Sequence, residues 1–263
     1  MLAQLPALSL VLWGSGTVLT LTLLLGLLFS ERFRSYPVFT IYLAAVLIQT
    51  IILVVLYQYF GFASSYSFRV AWTTQAAVVI GRAFVAEEVC RLVLGRYVGV
   101  WALAARVLSC CGLLALSVAL YFGRNNYRVG TATLEIALEA CIATGIAGLF
   151  LFANYYQIRI PPMTGYIGLG LGLLSCSKIL TDVVFQRFLK ISGSAWNNLS
   201  SVAFLGVLLL WIWATRQTAP ELAQEPALQS PQLYAEIIPS VNRRLVELNE
   251  QLSRLCRLEQ PKS

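Results

Sequence analysis

Seven apolar stretches, each about as long as a bilayer is thick, occupy most of this chain, and the segments joining them are too short to hold a soluble domain. A helix needs about 20 apolar residues to cross the hydrocarbon core of a membrane. Such runs fall at roughly residues 8–29, 37–60, 70–93, 100–122, 131–153, 164–186 and 195–215. They are continuous, without the two-residue alternation of a barrel strand, and this excludes a transmembrane β-barrel. Of the 263 residues, 58% are hydrophobic and 12% are charged, whereas a soluble domain carries about 25% charged residues. The expected fold is all-α: a polytopic membrane protein, a bundle of seven transmembrane helices at 1–216 plus a short C-terminal amphipathic helix. Short connections make sequential helices antiparallel neighbours. No Lys or Arg precedes Arg32, so the basic opening of a signal peptide is missing and the first helix is expected to be retained.

The charge pattern narrows the partners. The 19 basic and 12 acidic residues leave a net charge of +7. The basic residues scatter over loop ends and the tail, as expected of residues that anchor and orient helices, and form no patch of the kind nucleic acid requires. The lipid bilayer is the expected partner, and nucleic acid is not. With the N-terminus outside, Arg32, Arg34, Arg91, Arg96, Arg159 and Arg216 lie on the cytoplasmic side and Arg69, Arg124, Arg128, Arg187 and Lys190 on the outer side. That near-even split, with the uncharged N-terminus and the basic tail, tips the expectation to N-terminus outside and C-terminus in the cytoplasm, and the expected location is a bacterial cytoplasmic (inner) membrane.

Histidine is absent. The commonest metal ligand and the usual neutral-pH proton carrier are therefore missing, and the chain is not itself a phospho-accepting histidine kinase. The six cysteines show no C-x-x-C spacing. They suit small apolar fillers at helix contacts better than a disulfide framework. No metal, cofactor or catalytic residue is expected, and the chain leans away from an enzyme because no nucleophile–base pair is recognisable. The seventh span lacks a lysine for a retinal Schiff base, and the third ends Glu87-Glu88-Val89-Cys90-Arg91 without a receptor-type D-R-Y motif.

What remains are charged residues inside the spans. Such groups cost several kcal/mol unless paired or hydrated, so they are candidate functional residues. Counting 1.5 Å per residue from each span centre, Glu139 of the fifth span and Lys178 of the sixth share one layer. Glu135 and Asp182 share the next, and Arg82 of the third lies just below. If these helices adjoin, Arg82, Glu135, Glu139, Lys178 and Asp182 form a ligand or ion-pair core. A second polar layer toward the opposite side holds Glu87, Glu88, Arg91 and Arg106. Gln49, Gln75, Thr73, Thr74 and Asn154 can add interhelical hydrogen bonds. The six tryptophans fall toward span ends, where aromatic belts sit. Gly168 and Gly172 give the sixth span a small-xxx-small face for close helix approach.

After Arg216 the chain changes character. Residues 217–239 carry Pro220, Pro226, Pro231 and Pro239 and suit an extended linker. Val241, Leu245, Leu248, Leu252 and Leu255 then recur at spacings of four and three, an apolar seam over 240–259. So short a seam is marginal alone and needs a protein partner, a second copy, or the chain's own helices. Two function classes follow. In the first, a sensor or interaction module has a polar intramembrane core and a partner-docking or self-associating tail. In the second, a transporter or channel subunit uses the charged cluster as a polar path. No motif specifies a small-molecule ligand.

Overall fold

The computed structural model describes residues 7–30, 32–61, 64–124, 127–181 and 193–216, with positions 247, 250, 251 and 254 of the tail. Seven α-helices follow in chain order: α1 (Ala7–Phe29), α2 (Pro37–Phe60), α3 (Ser65–Leu94), α4 (Val98–Gly123), α5 (Tyr127–Tyr155), α6 (Pro162–Ile179) and α7 (Gly193–Arg216). No strand occurs among the described residues. Asp182, the proline-containing linker and all five residues of the tail seam (Val241, Leu245, Leu248, Leu252 and Leu255) lie outside the described residues.

Among the described residues, five helices are long and apolar enough to cross a bilayer, over Val11–Phe29, Pro37–Phe60, Val98–Gly123, Val129–Tyr155 and Asn198–Arg216. These mark the chain as an integral membrane protein. α3 and α6 fall outside that set among the described residues. α3 carries Arg69, Arg82, Glu87, Glu88 and Arg91. α6 runs for only 18 described residues before widening into a π turn at 180–181.

Local chemistry sets the helix ends. Pro37 opens α2, where its missing N–H costs nothing. The Ser64 hydroxyl accepts the Tyr66 N–H and caps α3. α5 ends in a Schellman arrangement: Ile158 N–H donates to Ala153 O and Gln157 N–H to Asn154 O, with Gln157 at φ 53°. α6 starts directly behind Pro161.

α3 is the central helix. It packs on α2, α4, α5 and α6, while α1 closes against α7 and α2. The helix with the most charge therefore packs against four others. Val79, Val85 and Val89 of α3 are buried along with Arg82 and Glu88. α2, which carries no charged residue, buries only Phe39, Tyr42, Leu43 and Leu56 and leaves Ile41, Ile48, Ile51 and Val55 exposed. This is the distribution a lipid solvent favours: apolar faces turn outward, and polar groups are kept among helices where partners exist.

Small residues set the close contacts. A methyl at Gly130 would lie 2.6 Å from Gly123 Cα and 2.9 Å from Ala119 O, so α4 and α5 touch backbone to backbone there. The Gly168 and Gly172 face meets α5, where added methyls would sit 3.2 Å from Phe150 Cζ and 3.5 Å from Ile146 Cγ2. The tightest glycine is Gly170, on the other side of α6. A methyl there would fall 2.7 Å from Trp211 Cε2 and 2.8 Å from Val207 Cγ1 of α7.

Candidate functional site: a polar core across four helices

α3, α5 and α6 adjoin and bring four of the five expected core residues together. Arg82 pairs with Glu139 through Nη1 and Oε1. Ser175 Oγ donates to the other Glu139 oxygen at 2.5 Å. Arg82 is 6% exposed and Glu139 1%. One turn away, Lys178 Nζ lies 3.3 Å from Glu135 Oε1, and Gln75 Nε2 donates to the same oxygen at 2.9 Å. Gln49 Nε2 of α2 then donates to Gln75 Oε1 at 3.2 Å. Two cations and two carboxylates thus balance, and hydrogen bonds extend them over α2, α3, α5 and α6.

The pairing differs from the depth count. Glu139 and Lys178 share a layer by residue number, yet Glu139 takes Arg82, and Lys178 takes Glu135 one turn further from the centre. The lysine stem is long enough to carry its ammonium past its own Cα level toward a better hydrated position, and the Lys178 side chain remains 31% exposed. The deeper carboxylate is left to the guanidinium and the serine hydroxyl. Ser175 was not singled out from the sequence. It lies three residues before Lys178 on the same helical face, and that spacing was its available signal.

In the second layer Glu87, Glu88 and Arg91 border one cavity, but only Glu88 of the four is buried. Glu88 is buried, 3% exposed, and its two oxygens accept the Val38 and Phe39 N–H groups of α2 at 3.0 Å each. Glu87, Arg91 and Arg106 are exposed. The physical reason is the start of α2: its N-cap residue Tyr36 supplies no side-chain cap, leaving first-turn N–H groups that attract a carboxylate. Tyr36 instead bonds its hydroxyl to Thr164 Oγ1 of α6 at 3.0 Å, and burial pushes the Tyr36 phenol above its usual pKa range. Trp211 also departs from expectation. It is no belt residue but fully buried, donating from Nε1 to Tyr166 O at 3.2 Å and meeting Phe39 edge to face with ring centroids 5.0 Å apart. Gly170 is what makes room for it.

Two cavities flank α3. One of about 290 Å³ lies between α3, α4 and α5 and is mainly apolar, with Glu87, Cys90, Ser109 and Cys141 in its wall. The other, about 240 Å³, lies between α2 and α3 and is lined by Tyr42, Glu87, Glu88 and Arg91 among apolar neighbours. Among the described residues, no three His, Cys, Asp or Glu side chains converge as a metal site requires. No protein-family model matches the chain, and no curated protein or solved structure shows significant similarity to it.

Proposed function

We propose that this chain is a seven-span sensor or interaction protein, in which the polar core responds to a change in charge or hydration and the C-terminal helix hands the change to a partner or second copy. In this reading α3 and α6 cross the membrane as well. α3 is 30 residues long, about 45 Å at 1.5 Å per residue, and its short connections make it antiparallel to two apolar neighbours. The N-terminus is placed outside and the tail in the cytoplasm.

The observation that carries the reading is the Arg82–Glu139–Ser175 cluster, with Gln75–Glu135–Lys178 beside it. These groups link four helices at a depth where every unpaired charge is costly. Protonating Glu139 or withdrawing Arg82 changes the charge balance at the contact of α3, α5 and α6. Such a network can bias two arrangements of packed helices. The apolar seam from Val241 to Leu255 supplies the outlet, a surface through which a change in the core can reach a bound partner.

The test compares the intact protein with a version ending at Arg216, each with native Glu139 and with Glu139→Gln, by affinity capture and native mass in mild detergent. Loss of a partner or second copy on truncation, with a changed captured amount in Glu139→Gln, supports a core coupled to the tail. Identical monomers in all four cases remove this reading. The competing reading, a transporter or channel subunit, is favoured by the partial exposure of Lys178 at the edge of the network. It predicts that Glu139→Gln lowers ion or substrate flux in proteoliposomes more than it lowers expression.

A further inference from the structure

Two polar atoms at the centre of the molecule have no hydrogen-bond partner in the protein. They are Arg82 Nε and the Tyr42 hydroxyl, on residues 6% and 2% exposed. The Tyr42 hydroxyl lies beside the Arg82 guanidinium as a hydrogen-bonding neighbour, but outside full hydrogen-bond geometry, and Arg82 Nε itself has no partner. Buried donors in native proteins are almost always satisfied, and a bound water or ion is one of the few explanations for an orphan. Tyr42 also lines the 240 Å³ cavity between α2 and α3, whose wall carries Glu87, Glu88 and Arg91.

We propose that this cavity is a water-filled inlet that brings water, and protons with it, from the side where α2 begins and α3 ends to Tyr42 and the Arg82–Glu139 pair. Arg91 lies about 4.5 Å below the end of α3 and Arg82 about 18 Å below it, so the charged wall covers the outer part of that descent and Tyr42 bridges the rest. A water held in a protein needs two to four polar partners. The hydroxyl of Tyr42 and Nε of Arg82 supply them at the inner end, and Glu87, Arg91 and the remaining lone pairs of Glu88 nearer the mouth. The charged and titratable groups facing the path are Tyr42 from α2 and Arg82, Glu87, Glu88 and Arg91 from α3, with Glu139 of α5 behind Arg82. The cavity between α3, α4 and α5 shares only Glu87 of this set and is otherwise mainly apolar, and there the expected occupant is lipid chain. The inlet goes beyond the sensor reading, since its hydration does not require a partner or a signal.

The experiment labels Ala45→Cys, on the inlet wall, with a charged membrane-impermeant methanethiosulfonate in sealed vesicles of each orientation. Native Cys141 in the apolar cavity serves as the control, and each site is read by peptide mass spectrometry. Labelling of Ala45→Cys from the side where α2 begins, and not from the other, with Cys141 unlabelled, is the expected result. In parallel, X-ray radiolytic footprinting of the unaltered protein should oxidise Tyr42 despite its burial. No labelling of Ala45→Cys together with an unoxidised Tyr42 would show a lipid-filled or empty gap and overturn the proposal. Equal labelling from both sides, or equal labelling of Cys141, would overturn it too.

Discussion

The Glu88 carboxylate of α3 accepts the backbone N–H of Phe39 in α2 at 3.0 Å, and its second oxygen takes the Val38 N–H. One helix thus supplies the cap that the neighbouring helix lacks. A lost cap costs about 0.5–2 kcal/mol in water, and here the freed N–H groups are enclosed by protein. Glu88→Ala should therefore lower the melting temperature in detergent clearly. Glu88→Gln, which keeps one acceptor oxygen, should fall between Ala and the native protein. Equal stability of all three in a thermal-shift assay would show that the cap contributes nothing.

The partner of Glu139 is Arg82, and a double-mutant cycle can establish this. Removing one member of a buried pair costs about 3–5 kcal/mol because the other is left uncompensated. Arg82→Met and Glu139→Leu should each strongly reduce the folded yield, and the double variant should recover a large part of it. Lys178→Met combined with Glu139→Leu should show no such recovery, because Lys178 pairs with Glu135. Recovery in the Lys178 combination instead would reassign the pairing.

Much of this arrangement was legible in the sequence. The apolar runs give helices whose ends match closely: 37–60 is reproduced as Pro37–Phe60, and the run at 131–153 lies inside Tyr127–Tyr155. Helical spacing and alternation also place Arg82, Glu135, Glu139 and Lys178 near one another. Three things were not legible. A depth count cannot see how far a lysine stem reaches, so it sets Lys178 level with Glu139 and not with Glu135. Glu88 resembles Glu87 in sequence, and only the rotation of α3 decides which carboxylate faces α2. Trp211 lies near a helix end, where a belt residue is expected. It is buried because Gly170, on a different helix, leaves the space it fills, and such complementarity between distant residues leaves no local pattern.

That complementarity yields a paired prediction. Gly170→Ala places a methyl against Trp211 and Val207, and overpacking of this kind costs about 1–3 kcal/mol. Gly172→Ala adds the same methyl at 3.5 Å from Ile146 Cγ2, an ordinary contact distance. Thermal unfolding in detergent should rank native and Gly172→Ala together, with Gly170→Ala well below. Combining Gly170→Ala with Trp211→Leu should restore part of the loss by vacating the space. If Gly170→Ala matched the native protein, α6 and α7 would not be packed as closely as described.

The end of α5 offers a change in the opposite direction. Gln157 adopts φ 53°, a left-handed conformation that glycine accepts freely and a side chain with a β-carbon resists. It holds the C′ position of the Schellman turn, where glycine is the usual residue. The Gln157 side chain returns part of the cost by donating from Nε2 to Asn154 O at 2.9 Å, a bond exposed to competition from water. A non-glycine residue in this region costs about 1–3 kcal/mol, while glycine adds entropy to the unfolded chain that offsets up to about 1 kcal/mol. Gln157→Gly should therefore raise the melting temperature modestly, and Gln157→Val, branched at the β-carbon, should lower it. The reverse order in a thermal-shift assay would mean that the Nε2 hydrogen bond outweighs the backbone strain.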